Sequence, residues 1–222
     1  MIHNSLITFL KGIKKNNNKD WYDAHKDEYK LLRQEFTQLI EELALEVAKF
    51  DPAVAKAQKL GKPTTKVFRI HRDARFAKDK AKYKTNISGF VSADIKSDSE
   101  PSYYLSVEPG GNSFLGGGLF MPERLVLSAL RDKIELHPKA LKKIENSKEF
   151  TKIFPSGLSR DRALKTAPRG HDLEHEAIEY LRLKSFTAGK TIADTELVRS
   201  DYKQEVVHAF KTLHTLSDFL RP

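Results

Sequence analysis

The 222-residue chain contains no cysteine, one tryptophan and two methionines. The absence of cysteine excludes a disulfide scaffold, a cysteine-ligated metal site and a thiol nucleophile, so any chemistry must use histidine, carboxylate, hydroxyl or lysine groups. No apolar run reaches the roughly 18 residues that a membrane span requires. The first lysines follow the first apolar residues, whereas a secretory signal carries its positive charge first. These absences predict a soluble, cytoplasmic protein with no membrane partner.

Positive charge is in excess, and most of it is concentrated in one segment. The chain has 39 Lys and Arg against 30 Asp and Glu, a formal net charge of +9. Residues 66–84 contain eight basic and two acidic residues, so this segment carries +6 and the rest of the chain only +3. Such local repulsion is unfavourable unless a counter-charge compensates it. The pattern indicates either an anionic ligand or a structural network of ion pairs.

Hydrophobic periodicity predicts helices near both ends of the chain. The first covers residues 2–13, and a longer one of about thirty residues runs from 20 to 50, followed by a polar connection over 53–65. Later helices are predicted over residues 122–137, 139–154 and from about 195 onward.

Strands are predicted between these helices, because apolar residues alternate with polar ones. The alternating segments are residues 66–72, 86–95, 102–108 and 113–121, with 187–192 either one more strand or a loop. Strands that follow one another without intervening helices favour an antiparallel or mixed sheet. We therefore expect an α+β fold with a central, largely antiparallel sheet flanked by helices from both chain ends, and a single domain over residues 1–222.

The basic segment offers groups suited to a phosphate. An arginine presents a planar fork of donors that stays charged and can hold a phosphate or carboxylate through two hydrogen bonds. Because arginines recur every three residues, they cannot all line one face of a strand, so we expect the strand to end near residue 73 in a cationic loop. The cations predicted to bind ligand are Arg69, Arg72, Arg75, Lys80 and Lys84.

Other side chains are candidates for lining the same ligand. Trp21 and His25 lie one helical turn apart, which predicts either a stacking surface with His25 as proton donor or simple core packing. Tyr83 lies beside Lys84 in the sequence. Arg169 is in a turn, where it either extends the cationic patch or covers surface. Glu108 ends a predicted strand, as a general base or as the partner of an arginine.

The segment from His171 to His175 matches the H-x-x-E-H signature of inverted zinc proteases. That motif works only when both histidines project from one face of a helix. Asp172 is a natural N-cap, so the helix is expected to begin there and to leave His171 outside it. We therefore predict no metal site and keep His175 as a candidate catalytic residue. The glycines at 116–118 lack the following Lys-Ser/Thr of a P-loop and indicate a bulge or close backbone packing.

Several motifs together resemble one known family. They are the basic run from Arg69 to Lys80 with its continuation through Tyr83 to Asn86, Trp21-Tyr22, Tyr103-Tyr104, Glu108-Pro109, the glycines 116–118 and residues 165–170. The chain resembles the family catalogued as domain of unknown function 2461, and departs from it at Lys82 and Glu176, where the family often has proline. The resemblance implies one domain over nearly the whole chain, but it implies no activity and no cofactor.

Three hypotheses for function follow. The leading one is a cytoplasmic protein that binds a phosphorylated small molecule or nucleotide through the basic segment. The second is a nucleic-acid accessory module whose affinity falls steeply with salt, because the same charges contact backbone phosphates. In the third, the arginines are structural and pair with Asp73, Asp79 and Glu108. The sequence assigns neither a reaction nor a cofactor.

Overall fold

The computed structural model describes residues 2–72 and 81–221, which form ten helices and five strands. The helices are α1 (Asn4–Lys15), α2 (Lys19–Ala24), α3 (Lys26–Val47), α4 (Pro52–Lys59), α5 (Arg124–Leu136), α6 (Ala140–Glu145), α7 (Lys148–Ile153), α8 (Ile178–Leu181), α9 (Asp194–Leu197) and α10 (Tyr202–Leu220). The strands are β1 (Thr65–Val67), β2 (Ile87–Ser92), β3 (Ser102–Val107), β4 (Ser113–Leu119) and β5 (Phe186–Ile192). The predicted α+β class is confirmed.

The five strands form one sheet in the order β1-β2-β3-β4-β5, and each neighbouring pair is antiparallel. Helices α3 and α10 pack on one face of the sheet. Their approach is close, since a Cβ added to Gly89 would lie 3.0 Å from Ile40 of α3, and one added to Gly117 would lie 3.2 Å from Leu213 of α10. The predicted close packing at the glycines 116–118 is confirmed. The buried residues form one continuous hydrophobic cluster, and a single domain over 1–222 stays a prediction.

The predicted boundaries were wrong where polar caps interrupt an apolar pattern. The helix expected over residues 20–50 is broken at His25, whose backbone is not helical. The connection expected over 53–65 contains α4, because the Asp51 carboxylate caps it by accepting the Ala53 and Val54 N–H groups. The helix expected over 139–154 is two helices, with Ser147 capping the second.

Other boundaries also differ from expectation. The closing helix begins at Tyr202, after the short α9, and β1 ends at Val67 instead of continuing to residue 72. The segment 187–192, left open between a strand and a loop, lies within strand β5.

Asp51 ties α4 to the sheet and to the chain end. Its fully buried carboxylate accepts hydrogen bonds from the Tyr103 hydroxyl at 2.8 Å and from the Arg221 guanidinium at 2.9 Å. Burial by itself would raise the pKa of Asp51, but the bonds from Arg221 and Tyr103 outweigh it and hold the pKa below its ordinary value. Arg221 also donates to Glu100 at 2.7 Å, so its charge is shared between two carboxylates.

A short pair of extended segments continues the β1–β2 hairpin beyond the sheet. We call residues 70–72 and 82–84 the hairpin base. The Arg72 N–H donates to the Lys82 carbonyl at 3.0 Å, and the Lys84 N–H donates to the Ile70 carbonyl at 2.7 Å. The hairpin base therefore fixes both ends of the basic segment, whose residues 73–80 are outside the described part of the chain.

Asn17 and Tyr22 attach the hairpin base to the N-terminal helices. The Asn17 side chain donates to the Tyr83 carbonyl and accepts the Tyr83 N–H, both at 3.0 Å. The Tyr22 ring stacks on the Tyr83 ring with centroids 4.4 Å apart, and His71 packs against both rings. Tyr83 is buried as a result, so this attachment sets the position of its neighbours.

Replacing Asp51 is expected to destabilise the protein strongly. The Asp51→Asn variant should lose about 3–5 kcal/mol of unfolding free energy at neutral pH, because it leaves buried donors without their charged partner. Since the folded-state pKa lies below the ordinary 3.8, this contribution is present above pH 3.8 and disappears as the pH falls through the lowered value. Urea denaturation of the Asp27→Asn variant, at an exposed carboxylate, should show little change. Equal stability of the Asp51→Asn variant and the wild type would contradict this interpretation.

Removing the Asn17 side chain is expected to loosen the hairpin base. The Asn17→Ala variant should lose about 1–2 kcal/mol of stability, and the Tyr83 amide should exchange its hydrogen faster because its acceptor is gone. Hydrogen exchange measures both the stability of the protein and the protection of the Tyr83 amide. The neighbouring Asn16→Ala variant is the control, since Asn16 donates only to Gly12 of its own helix. Unchanged protection of the Tyr83 amide in the Asn17→Ala variant would disprove the attachment.

Candidate anion-binding site

Three basic residues, Lys66, Arg69 and Lys84, lie where β1 leads into the hairpin base. Lys66 and Lys84 place their ammonium groups 5.8 Å and 5.2 Å from the centroid of the Phe68 ring. Arg69 lies close enough to Lys84 for its charge to be felt there. We call Lys66, Arg69 and Lys84 the cation cluster. The Phe68 ring attracts the two ammonium groups through a cation–π interaction, which is modest where the cation reaches solvent.

The cation cluster lacks a counter-charge within residues 2–72 and 81–221. None of its three members makes an ion pair with a carboxylate there. Burial lowers the pKa of the Lys84 ammonium group below its ordinary value, and the Arg69 charge lowers it further. The protonated form of Lys84 is thus less favourable than that of an ordinary exposed lysine. An anion placed beside Lys84 and Arg69 would raise the pKa of Lys84 again.

Glu108, the expected partner of an arginine, is engaged elsewhere. Its carboxylate accepts a hydrogen bond from the Thr85 hydroxyl at 2.7 Å. The adjacent Asn86 donates to the Ser106 hydroxyl at 2.8 Å. These bonds hold the chain after Lys84 against the end of β3, so Glu108 positions the edge of the site without neutralising its charge.

The sheet face opposite α3 and α10 carries aromatic rings next to the cation cluster. The ring centroids of Phe68 and Phe90 are 5.7 Å apart, and those of Tyr104 and Phe114 are 6.2 Å apart. Tyr104 lies opposite Phe90 in the β2–β3 register. We call these four residues the aromatic face. Three of them are partly buried and Phe114 is 37% exposed, so the rings reach solvent.

Small residues lie between these rings. The positions that share the aromatic face by alternation and register are Ser88, Ser92, Ser102, Ser106, Gly116 and Gly189. The Phe114 ring lies against the backbone at Gly116, where an added Cβ would be only 2.8 Å from it, and it crowds Gly189 in the same way. A side chain at either glycine would displace this ring from the sheet.

The structure brings several of the predicted binding residues together. Arg69 and Lys84 belong to the cation cluster, and Tyr83 lies in the hairpin base beside them. Arg72 is exposed at the same place, where its backbone pairs with Lys82. Arg75 and Lys80 lie outside the described residues, as do Asp73 and Asp79, so the predictions that concern them stay predictions.

Trp21 and His25 are near the site but belong to the packing between helices. Their rings stack with centroids 4.0 Å apart, and Trp21 also packs on Phe9. His25 Nδ1 also lies at hydrogen-bond distance, 2.8 Å, from the carbonyl oxygen of Trp21. Trp21 covers Gly12 so closely that a Cβ there would lie 2.6 Å from the ring. These contacts favour the core-packing alternative, while the adjacent Tyr22 faces the hairpin base.

Arg169 and His175 belong to a different part of the chain. The Arg169 side chain is exposed and makes no hydrogen bond or ion pair within the described ranges. His175 lies in turns before α8, where its Nδ1 accepts the Ala177 N–H. The helix expected to begin at Asp172 is absent, since the chain becomes helical only at Ile178. His171 is 3.4 Å from Glu135 instead.

A second buried charge cluster lies around Glu145. Its carboxylate accepts bonds from the Tyr180 hydroxyl at 2.7 Å and the Leu158 N–H at 2.7 Å, and it pairs with Arg160. Burial would raise the pKa of Glu145, but these donors more than offset it and lower the pKa. Because its acceptors are satisfied, this cluster holds α6 to α8 and offers no open position to a ligand.

The residues that sequence reasoning missed are Asn17, Tyr22 and most of the aromatic face. A signal for the rings was present, because Phe90 and Tyr104 are each flanked two residues away by serine on both sides. That spacing places a ring among small residues on one face of a strand. No comparable signal exists for Asn17, which acts through a contact 66 residues away.

The described part of the chain contains neither a group of three metal-ligating side chains nor a helix long and apolar enough to cross a membrane. No curated protein and no solved structure matches the chain significantly. The model of one family, described as a conserved hypothetical protein (DUF2461), matches residues 5–219. That match covers the helices, the sheet and the hairpin base together. The chain therefore belongs to the DUF2461 family of conserved hypothetical proteins.

Proposed function

We propose that the protein binds a phosphorylated small molecule or nucleotide at the cation cluster. The observation that carries the proposal is the lack of a carboxylate partner for Lys66, Arg69 and Lys84 in the described chain, together with the lowered pKa of Lys84. A phosphate group would supply the missing charge. The predicted cytoplasmic location agrees with such a ligand.

The chemistry of the site favours phosphate over a simple monovalent anion. Arg69 offers a planar fork that matches two phosphate oxygens, while Lys66 and Lys84 act as compact charges beside it. Because Lys84 is partly buried, its attraction to an anion is less screened than at a fully exposed position. The proposal concerns binding alone and assigns no catalytic residue.

The structural alternative makes a different prediction about stability. If Arg69 and Lys84 served mainly to hold the fold, they would be expected to pair with carboxylates such as Glu108. Glu108 is bonded to Thr85 instead, which supports the binding hypothesis. Removing one cation of the cluster should then relieve repulsion and should not weaken the fold.

Isothermal titration with inorganic pyrophosphate and with ADP tests the proposal. The Arg69→Gln and Lys84→Gln variants should each bind about tenfold or more weakly than the wild type, because each loses a charge-assisted hydrogen bond of about 1.5–3 kcal/mol. The Lys142→Gln variant removes an exposed lysine on α6 and should bind like the wild type.

Thermal unfolding of the same variants provides the second measurement. We expect Arg69→Gln and Lys84→Gln to be no less stable than the wild type without ligand, and to gain less stability when pyrophosphate is added. Destabilised variants with unchanged pyrophosphate affinity would refute the proposal and favour the structural alternative.

A further inference from the structure

We infer that the aromatic face binds single-stranded nucleic acid, with bases stacked on its rings and backbone phosphates held by the cation cluster. This inference rests on one part of the proposed function, phosphate binding at the cation cluster, and goes beyond it to a polymeric ligand. It adds a second binding surface, the rings of β2, β3 and β4, to the cations beside β1.

The spread of the rings favours several linked nucleotides over one. Phe68 follows β1, Phe90 is on β2, Tyr104 is on β3 and Phe114 is on β4. Neighbouring strands lie about 4.8 Å apart, so the rings extend over about 14 Å of the sheet. A mononucleotide would cover one ring and leave the others bare. A short single strand covers them together.

The floor of the face suits flat ligands. Serines and glycines lie between the rings of β2, β3 and β4, with Asn86 reaching only to Ser106 at one end and Lys66 opposite Phe90 at the other. The Phe114 ring lies directly against the backbone at Gly116 and Gly189, and the residue is 37% exposed, so part of the ring faces solvent. A base can therefore stack on Phe114 without displacing any side chain, and any base can do so because each has a π-face.

The charge beside the face indicates a polyanion and an unpaired strand. Lys66 and Lys84 stand over Phe68 at one end of the row of rings, so a backbone that leaves the stacked bases there meets positive charge. Base stacking on side chains requires bases that are splayed out of a helix. A duplex would present only its phosphates to the cation cluster.

Fluorescence anisotropy with a fluorescein-labelled ten-residue oligothymidine tests the inference on the full chain. The wild type should bind this strand more tightly than a duplex of the same length. The Phe114→Leu and Tyr104→Leu variants should each bind about tenfold more weakly, because each loses one stacking position. The Tyr104→Phe variant keeps the ring and should bind like the wild type.

The Phe219→Leu variant is the matched control. Phe219 is a partly buried ring of α10 with the Lys133 ammonium 5.1 Å from its centroid, which resembles Phe68 without belonging to the aromatic face. Its affinity for the strand should equal that of the wild type. Circular dichroism of every variant should show the wild-type fold. If one of the two leucine variants of the aromatic face unfolds, the other carries the test against the Phe219→Leu control.

Salt dependence and pyrophosphate binding separate this inference from the proposed function. The logarithm of the strand affinity should fall with the logarithm of salt concentration with a slope of about −2, since each of three phosphates contributes roughly −0.7. The Phe114→Leu variant should still bind pyrophosphate like the wild type. Pyrophosphate binding without strand binding, or equal binding of strand and duplex, would overturn the inference alone. If the wild type bound neither pyrophosphate nor the strand, the proposed function would be overturned as well.

Discussion

The position of the cation cluster depends on how Tyr83 is held. Two hydrogen bonds from Asn17 and the stacked ring of Tyr22 fix its backbone and side chain against the N-terminal helices. Lys84 follows directly in the chain, so it stays near Arg69 although the two charges repel each other. Within residues 2–72 and 81–221, neutral contacts hold these charges in place, and no carboxylate pairs with them.

The two faces of the sheet differ in what lies on them. One face is covered by α3 and α10, and its glycines at 89 and 117 let the helices approach closely. The other face has small residues for a different reason, because Gly116 and Gly189 leave room for the Phe114 ring. The glycines 116–118 thus serve both faces of one strand. Asp51 contributes on the helical side, where it joins α4, β3 and the chain end.

The sequence predicts this fold well where burial repeats along one element, as in β3 and α10, because periodicity reports which face is covered. It missed the break at His25, since the apolar spacing continues on both sides of it. It selected Arg69 and Lys84 as candidate binding residues from charge alone, and that assignment stays a prediction. It chose Trp21 over Tyr22 because sequence does not give the helical phase that decides which ring meets Tyr83. The aromatic face escaped notice because its rings come from four separate segments.

The pKa of Lys84 is the sharpest test of whether the cation cluster lacks a counter-charge and takes up an anion. Nuclear magnetic resonance of the Lys84 side chain measures this pKa with and without pyrophosphate. We expect a pKa below the ordinary 10.5 in the free protein and a rise when pyrophosphate binds, because a nearby negative charge stabilises the ammonium form. A value at or above 10.5 in the free protein would show that a carboxylate already compensates the charge. A pKa of Lys84 that stays the same when pyrophosphate is added would contradict anion binding at the cation cluster.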